Sequence, residues 1–162
     1  MLNIKQSFLL LFCIFLLLFI FSYRFTIEQN KNKDITNKTI LKNYIGFIFI
    51  VFGILKLFNL IKFAKIFNKY DIISKKNKIY PFFYPFIEII IGILLMENIK
   101  INEVLFFTII LMVISIFSVI PTLLSGEKLR CGCIGSFFNI PLSYITLSEN
   151  IMMLSMSVNY LL

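Results

Sequence analysis

The sequence predicts an all-α fold: a polytopic membrane helical bundle of four transmembrane helices, plus a C-terminal helix that is either interfacial or a fifth span. Three observations carry this expectation. Hydrophobic residues make up 59% of the 162 residues and charged ones 15%, with a mean hydropathy of +0.92. A water-soluble domain has about a quarter of its residues charged. The apolar residues are also gathered in blocks of near-membrane length, without the polar face a soluble fold needs. Finally, the basic residues other than Lys56 lie between the blocks, as positive-inside topology and contact with an anionic lipid bilayer require. The chain, 1–162, reads as a single integral membrane domain.

The first block, 7–23, is flanked by Lys5 and Arg24. Its apolar run is long for a secretory signal and no A-x-A-like cleavage site follows, so it is expected to remain as a transmembrane helix. Cys13 lies inside it among Phe and Leu, where a thiol acts as a small apolar residue. Thr26 to Asn43 is rich in Asn and Lys and reads as a polar loop.

The second block is 44–60. Gly46, Gly53 and Lys56 fall on one helical face, and small residues let neighbouring helices approach closely. Beyond Leu60 the pattern turns amphipathic: Phe63, Ile66, Phe67 and Tyr70 alternate with Lys62, Lys65 and Lys69. This fits a helix end lying at the membrane interface with snorkelling lysines.

The third block, 80–96, puts Pro81, Pro85, Glu88 and Gly92 on one face, with Pro81 suited to a helix start. The fourth, 104–124, carries a weakly polar stripe of Thr108, Ser115, Ser118 and Thr122. These two stripes are expected to face each other inside the bundle. The terminal helix, 146–162, opens with Thr146-Leu147-Ser148-Glu149, a capping-box pattern.

Composition also bounds the chemistry. The chain has no His, which excludes histidine-ligated haem, His-containing zinc sites and the usual general base. Its net charge is +8, but no continuous basic face exists, so nucleic acid is not an expected partner. With the N-terminus inside, the inner segments hold nine basic residues: Lys5, the six lysines from Lys62 to Lys78, Lys128 and Arg130. The outer loops hold six: Arg24, Lys31, Lys33, Lys38, Lys42 and Lys100. The count favours an inner N-terminus and an inner 125–145 segment.

Two places concentrate reactive groups. Lys56 and Glu88 are ionisable residues within apolar helices, and each must find a partner or the interface. They either pair across the second and third blocks as a structural or proton-carrying unit, or Lys56 snorkels while Glu88 hydrogen-bonds a polar seam.

The other place is Cys131-Gly132-Cys133-Ile134-Gly135, just after the fourth block. Neighbouring Lys128 and Arg130 favour thiolate, and the glycines free the backbone. A bridge within C-x-C is tight, hence oxidising, or else the second thiol comes from another protein. Three readings stand: thiol/disulfide exchange, binding of a soft ion such as Cu(I) or Hg(II) by two thiolates, or a loop without chemistry. No other cofactor is expected.

Several segments resemble one known family. Gly53-Ile54-Leu55-Lys56 resembles the G-x-x-K signature of DoxX-like membrane proteins, and Pro85-Phe86-Ile87-Glu88 through Gly92 resembles their P-x-x-E-x-x-x-G helix. Cys131 to Gly135, followed by Pro141-Leu142-Ser143 and Thr146 to Asn150, is similar to the C-x-C-[FL]-G segment of the methylamine utilisation protein MauE group, with Ile134 at the Phe or Leu position. Tyr70-Asp71-Ile72-Ile73 resembles a segment of bacterial relatives that carry a heavy-metal-associated domain. The likeness spans about 44–162.

The resemblance implies a multi-pass protein of the bacterial inner (plasma) membrane, associated with redox maturation of a periplasmic enzyme. It implies a protein partner: a thiol oxidoreductase, a maturing enzyme or a metal chaperone. On that basis Cys131 and Cys133 are the expected redox pair, in an accessory rather than a self-contained enzyme. The alternatives are a soft-metal transport accessory and a structural membrane subunit. The periplasmic role it implies and the inner location from the charge count point to opposite sides of the membrane.

Overall fold

The computed structural model describes residues 4–29, 36–124 and 142–162, and every element in them is an α-helix. In chain order these are α1 (Ile4–Gln29), α2 (Asn37–Leu57), α3 (Leu60–Tyr70), α4 (Ile72–Lys76), α5 (Tyr80–Met96), α6 (Ile101–Leu124) and α7 (Leu142–Leu161). Three helices are long and apolar enough to cross a membrane, within Phe12–Gln29, Asn37–Leu57 and Ile101–Pro121, and α5 is a shorter apolar helix. The outward faces carry exposed Phe12, Leu17, Phe83, Ile90, Phe106 and Phe117. In water such a surface is an aggregation liability, whereas in a bilayer it is the lipid-facing side. The fold is the helical membrane bundle that the apolar blocks predict.

The tightest joint is between α2 and α5. A Cβ added to Gly92 would stand 2.6 Å from the Gly46 carbonyl oxygen, and one on Gly46 2.9 Å from the Gly92 carbonyl oxygen. Gly53 abuts the Pro85 carbonyl in the same way. Hydrophobic burial does not drive helix association in lipid, so this backbone-to-backbone fit supplies the packing energy instead. Around it lie Ile45, Ile48, Phe49 and Phe52 of α2, Leu95 of α5, Leu105 and Met112 of α6, and Met153 of α7.

The remaining helices are added to this pair. α1 leans on α2 through Phe15 on Phe52 and Phe19 on Tyr44, with ring centroids 5.9 and 5.2 Å apart. The Tyr44 hydroxyl donates to the Phe15 carbonyl at 3.1 Å. α7 packs along α6, where the Asn150 amide donates to Ser115 Oγ at 2.9 Å. α3 turns its lysines outward and buries Phe63, Ala64, Phe67 and Tyr70. Phe67 packs on Tyr84 of α5 at 4.7 Å.

Four sequence expectations change. Thr26 to Asn43 is not wholly a loop: α1 runs on to Gln29 and α2 begins at Asn37. Polar residues there are linked across the two helices, with Thr26 Oγ1 donating to the Ser22 carbonyl at 2.8 Å and Asn43 Nδ2 donating to Thr26 Oγ1 at 3.0 Å. The amphipathic stretch after Leu60 is a separate helix, divided from α2 by a turn at Phe58 and Asn59. Its apolar face lies on the aromatic rings of α5 instead of on lipid.

The face of α5 bearing Pro85, Glu88 and Gly92 meets α2, not the α6 stripe, because its glycine is the complement of Gly46. That stripe meets α7 at Ser115 and the α3–α4 junction at Ser118. Lastly, α7 starts at Leu142, so Thr146 lies inside the helix and the capping box does not form. Packing along α6 overrides the local pattern.

Candidate functional site

Lys56 sits in the last turn of α2 and Glu88 in the middle of α5. Gly53 lies one turn before Lys56 in α2 and Gly92 one turn after Glu88 in α5, and the close approach of the two backbones at these glycines brings the two side chains together. The Lys56 ammonium donates to Glu88 Oε1, and the residues are only 6% and 3% exposed. The ammonium also faces the rings of Tyr84 and Phe63, 5.0 and 5.7 Å from their centroids. A cation held between a carboxylate and two aromatic faces, away from water, is strongly bound.

Glu88 Oε1 is thus engaged, whereas Oε2 is buried with no hydrogen-bond partner among the described residues. Carboxylate, ammonium, a tyrosine and the Ser115–Asn150 link form one polar zone in an apolar bundle. Such a zone can hold and move a proton. Among the described residues no three Cys, Asp or Glu gather as a metal-ligand set. Cys131 and Cys133 lie outside the described residues, and Cys13 is exposed on α1.

Sequence reasoning missed two polar anchors. Lys42 is buried at the other end of the α2–α5 pair, where its ammonium donates to the Leu95 carbonyl at 2.7 Å and to Asn98 Oδ1 at 2.6 Å. It adds a second donor to the Leu95 carbonyl at the end of α5, which also accepts from the Asn98 backbone N–H at 3.4 Å. The positive φ of Asn98, 60°, sets the turn there and was not signalled by a glycine.

The second anchor is Asp71, between α3 and α4. Its carboxylate accepts from the Ser74 backbone N–H at 2.7 Å, capping α4, and from Ser118 Oγ at 3.4 Å. Ser118 Oγ in turn accepts from the Ile72 N–H at 3.2 Å. Burial pushes the Asp71 carboxyl above its ordinary pKa of 3.8, against the opposing pull of these hydrogen bonds. An aspartate followed three residues later by a small polar residue was the available signal.

Searches of curated proteins and of solved structures returned no match. A scan of protein families matches residues 38–162, which include both Lys56–Glu88 and the Cys131–Cys133 segment, to the family described as methylamine utilisation protein MauE. With a match over most of its length, in a membrane bundle closed by a buried lysine–glutamate pair, the chain belongs to the MauE family.

Proposed function

We propose that this protein is a multi-pass component of the bacterial inner membrane that exchanges thiols and disulfides with a protein partner through Cys131 and Cys133. The observation that carries the reading is the pair itself: two thiols separated by Gly132, beside Arg130 and followed by Gly135, in a chain of this family. A nearby cation favours the thiolate, which is the attacking species. In exchange, a thiolate attacks one sulfur of a disulfide, a mixed disulfide forms, and the other sulfur leaves as thiolate. The protein acts as an accessory to maturation, not as a self-contained enzyme. The family's description makes a protein of methylamine utilisation a candidate partner.

In this account the helical bundle is the rigid frame and Lys56–Glu88 fixes its register. The test is trapping. Cys133→Ser removes the sulfur that would release a partner from Cys131, so a mixed disulfide should accumulate on Cys131, be visible on a non-reducing gel and disappear with reductant. If neither Cys133→Ser nor Cys131→Ser traps a partner, and the wild type instead binds Cu(I) or Hg(II) through these thiols, the protein is a soft-metal accessory.

A further inference from the structure

The polar zone beside Lys56–Glu88 contains two small cavities, each of about 10 Å³, against the first turns of α7. That volume suits one water molecule where polar groups surround it. The first cavity is bordered by Glu88, Glu149 and Asn150, with Phe49 and Met153 as apolar walls. The second is bordered by Lys56, Tyr84, Ser115 and Thr146, and again by Glu149 and Asn150.

Each cavity also borders one buried oxygen without a hydrogen-bond partner among the described residues: Glu88 Oε2 at the first and Thr146 Oγ1 at the second. A buried polar atom left unpaired costs about 1–3 kcal/mol. One water in each space removes both costs.

We propose that these cavities bind one water each, and that the waters join Lys56–Glu88, through Glu149 and Asn150, to Thr146 as a proton-exchange path. A proton passes along it by paired events: an O–H bond forms at the acceptor as one breaks at the donor, and each water regains neutrality by releasing a proton on its far side. Glu149 and Asn150 border both cavities, and Glu149, whose carboxyl can take up and release a proton as an amide does not, is the group through which the two waters exchange it. The path goes beyond the thiol-exchange reading and stands or falls without it.

Water-edited solid-state NMR on protein in phospholipid bilayers, with labelled Glu carboxyls and Lys ammonium groups, tests the proposal. Signals from Glu88 and Lys56 are identified by their loss in Glu88→Gln and Lys56→Met. Both should receive magnetisation from water nearly as fast as exposed Glu97, although they are buried. Thr146→Val, which keeps the side-chain shape, should slow transfer to Lys56 several-fold. Glu149→Gln should slow hydrogen–deuterium exchange at both members of the pair while circular dichroism stays unchanged. Transfer to Glu88 as slow as to the core carbons of Leu105 overturns the hydration. Exchange unaffected by Glu149→Gln overturns the path.

Discussion

An isolated Lys or Glu inside a bilayer costs about 3 kcal/mol even on the most lenient scale, so Lys56 and Glu88 are tolerated because each has the other. Removing one partner leaves a buried charge alone, and Lys56→Met or Glu88→Gln should each lower stability by about 3–5 kcal/mol. The double change Lys56→Met with Glu88→Leu should recover most of that loss. Thermal unfolding in detergent, followed by circular dichroism, reads all three. A double variant as unstable as the singles would show that the zone needs its charges, not merely their pairing.

Asp71 gives a second prediction at this scale. Its carboxyl is raised above 3.8 by burial, so the folded state holds the proton more tightly than the unfolded chain. Stability should therefore fall as pH rises from about 3.8 through the folded value and then level off. Asp71→Asn keeps the cap on α4 but cannot titrate, and should flatten that slope in unfolding curves taken across pH. Both charged residues of the ion pair were legible in the sequence, because a charge inside an apolar block must be explained. Lys42 was not, since its partners, Leu95 and Asn98, are remote in sequence and its own surroundings are rich in Asn and Lys.

At the scale of elements, the α2–α5 joint depends on the absence of side chains. Gly92→Ala places a methyl 2.6 Å from the Gly46 carbonyl oxygen. It should cost about 1–3 kcal/mol by overpacking, whereas Ile90→Ala, exposed on the same helix, should cost little. Comparable melting shifts for the two would contradict the close approach. The glycine periodicity was readable because a helix repeats every few residues. The helix ends were less so: Thr26, Asn43 and Thr146 look like loop or cap residues when read locally. Thr26 and Asn43 enter helices because a neighbouring carbonyl and a partner on another helix overrule the local signal, and Thr146 does so because α7 packs along α6. The pairing of faces was also hidden, since an α5 face with Pro, Glu and Gly is compatible with several neighbours until Gly46 is set against Gly92.

At the scale of the whole molecule, connectivity bears on function. α6 ends beyond Ser118, which touches the α3–α4 corner, and Thr146 near the start of α7 shares a cavity with Lys56 and Phe63. The chain therefore leaves α6 and enters α7 at the lysine-rich end capped by α3 and α4, while the Asn98 turn lies at the opposite end. A cysteine placed at Leu124, the last residue of α6, should then label from the same side as one placed at Lys75, and from the side opposite one placed at Asn98, when a membrane-impermeant maleimide is used on cells and on inverted vesicles. Opposite labelling of Leu124→Cys and Lys75→Cys would contradict the multi-pass reading.

On the proposed function, Cys131 and Cys133 cycle between thiol and disulfide states. The most direct measurement is their redox state in growing cells, in a Cys13→Ser background where they are the remaining cysteines. Acid quenching and alkylation with a mass-tagged maleimide before and after reduction would count the free thiols. A mixed population is expected, whose oxidised share shifts when the medium is made reducing or oxidising; with either cysteine replaced, the intramolecular disulfide is lost and the remaining thiol is oxidised only as a mixed disulfide with a partner. A pair that stays fully reduced under every condition would contradict it.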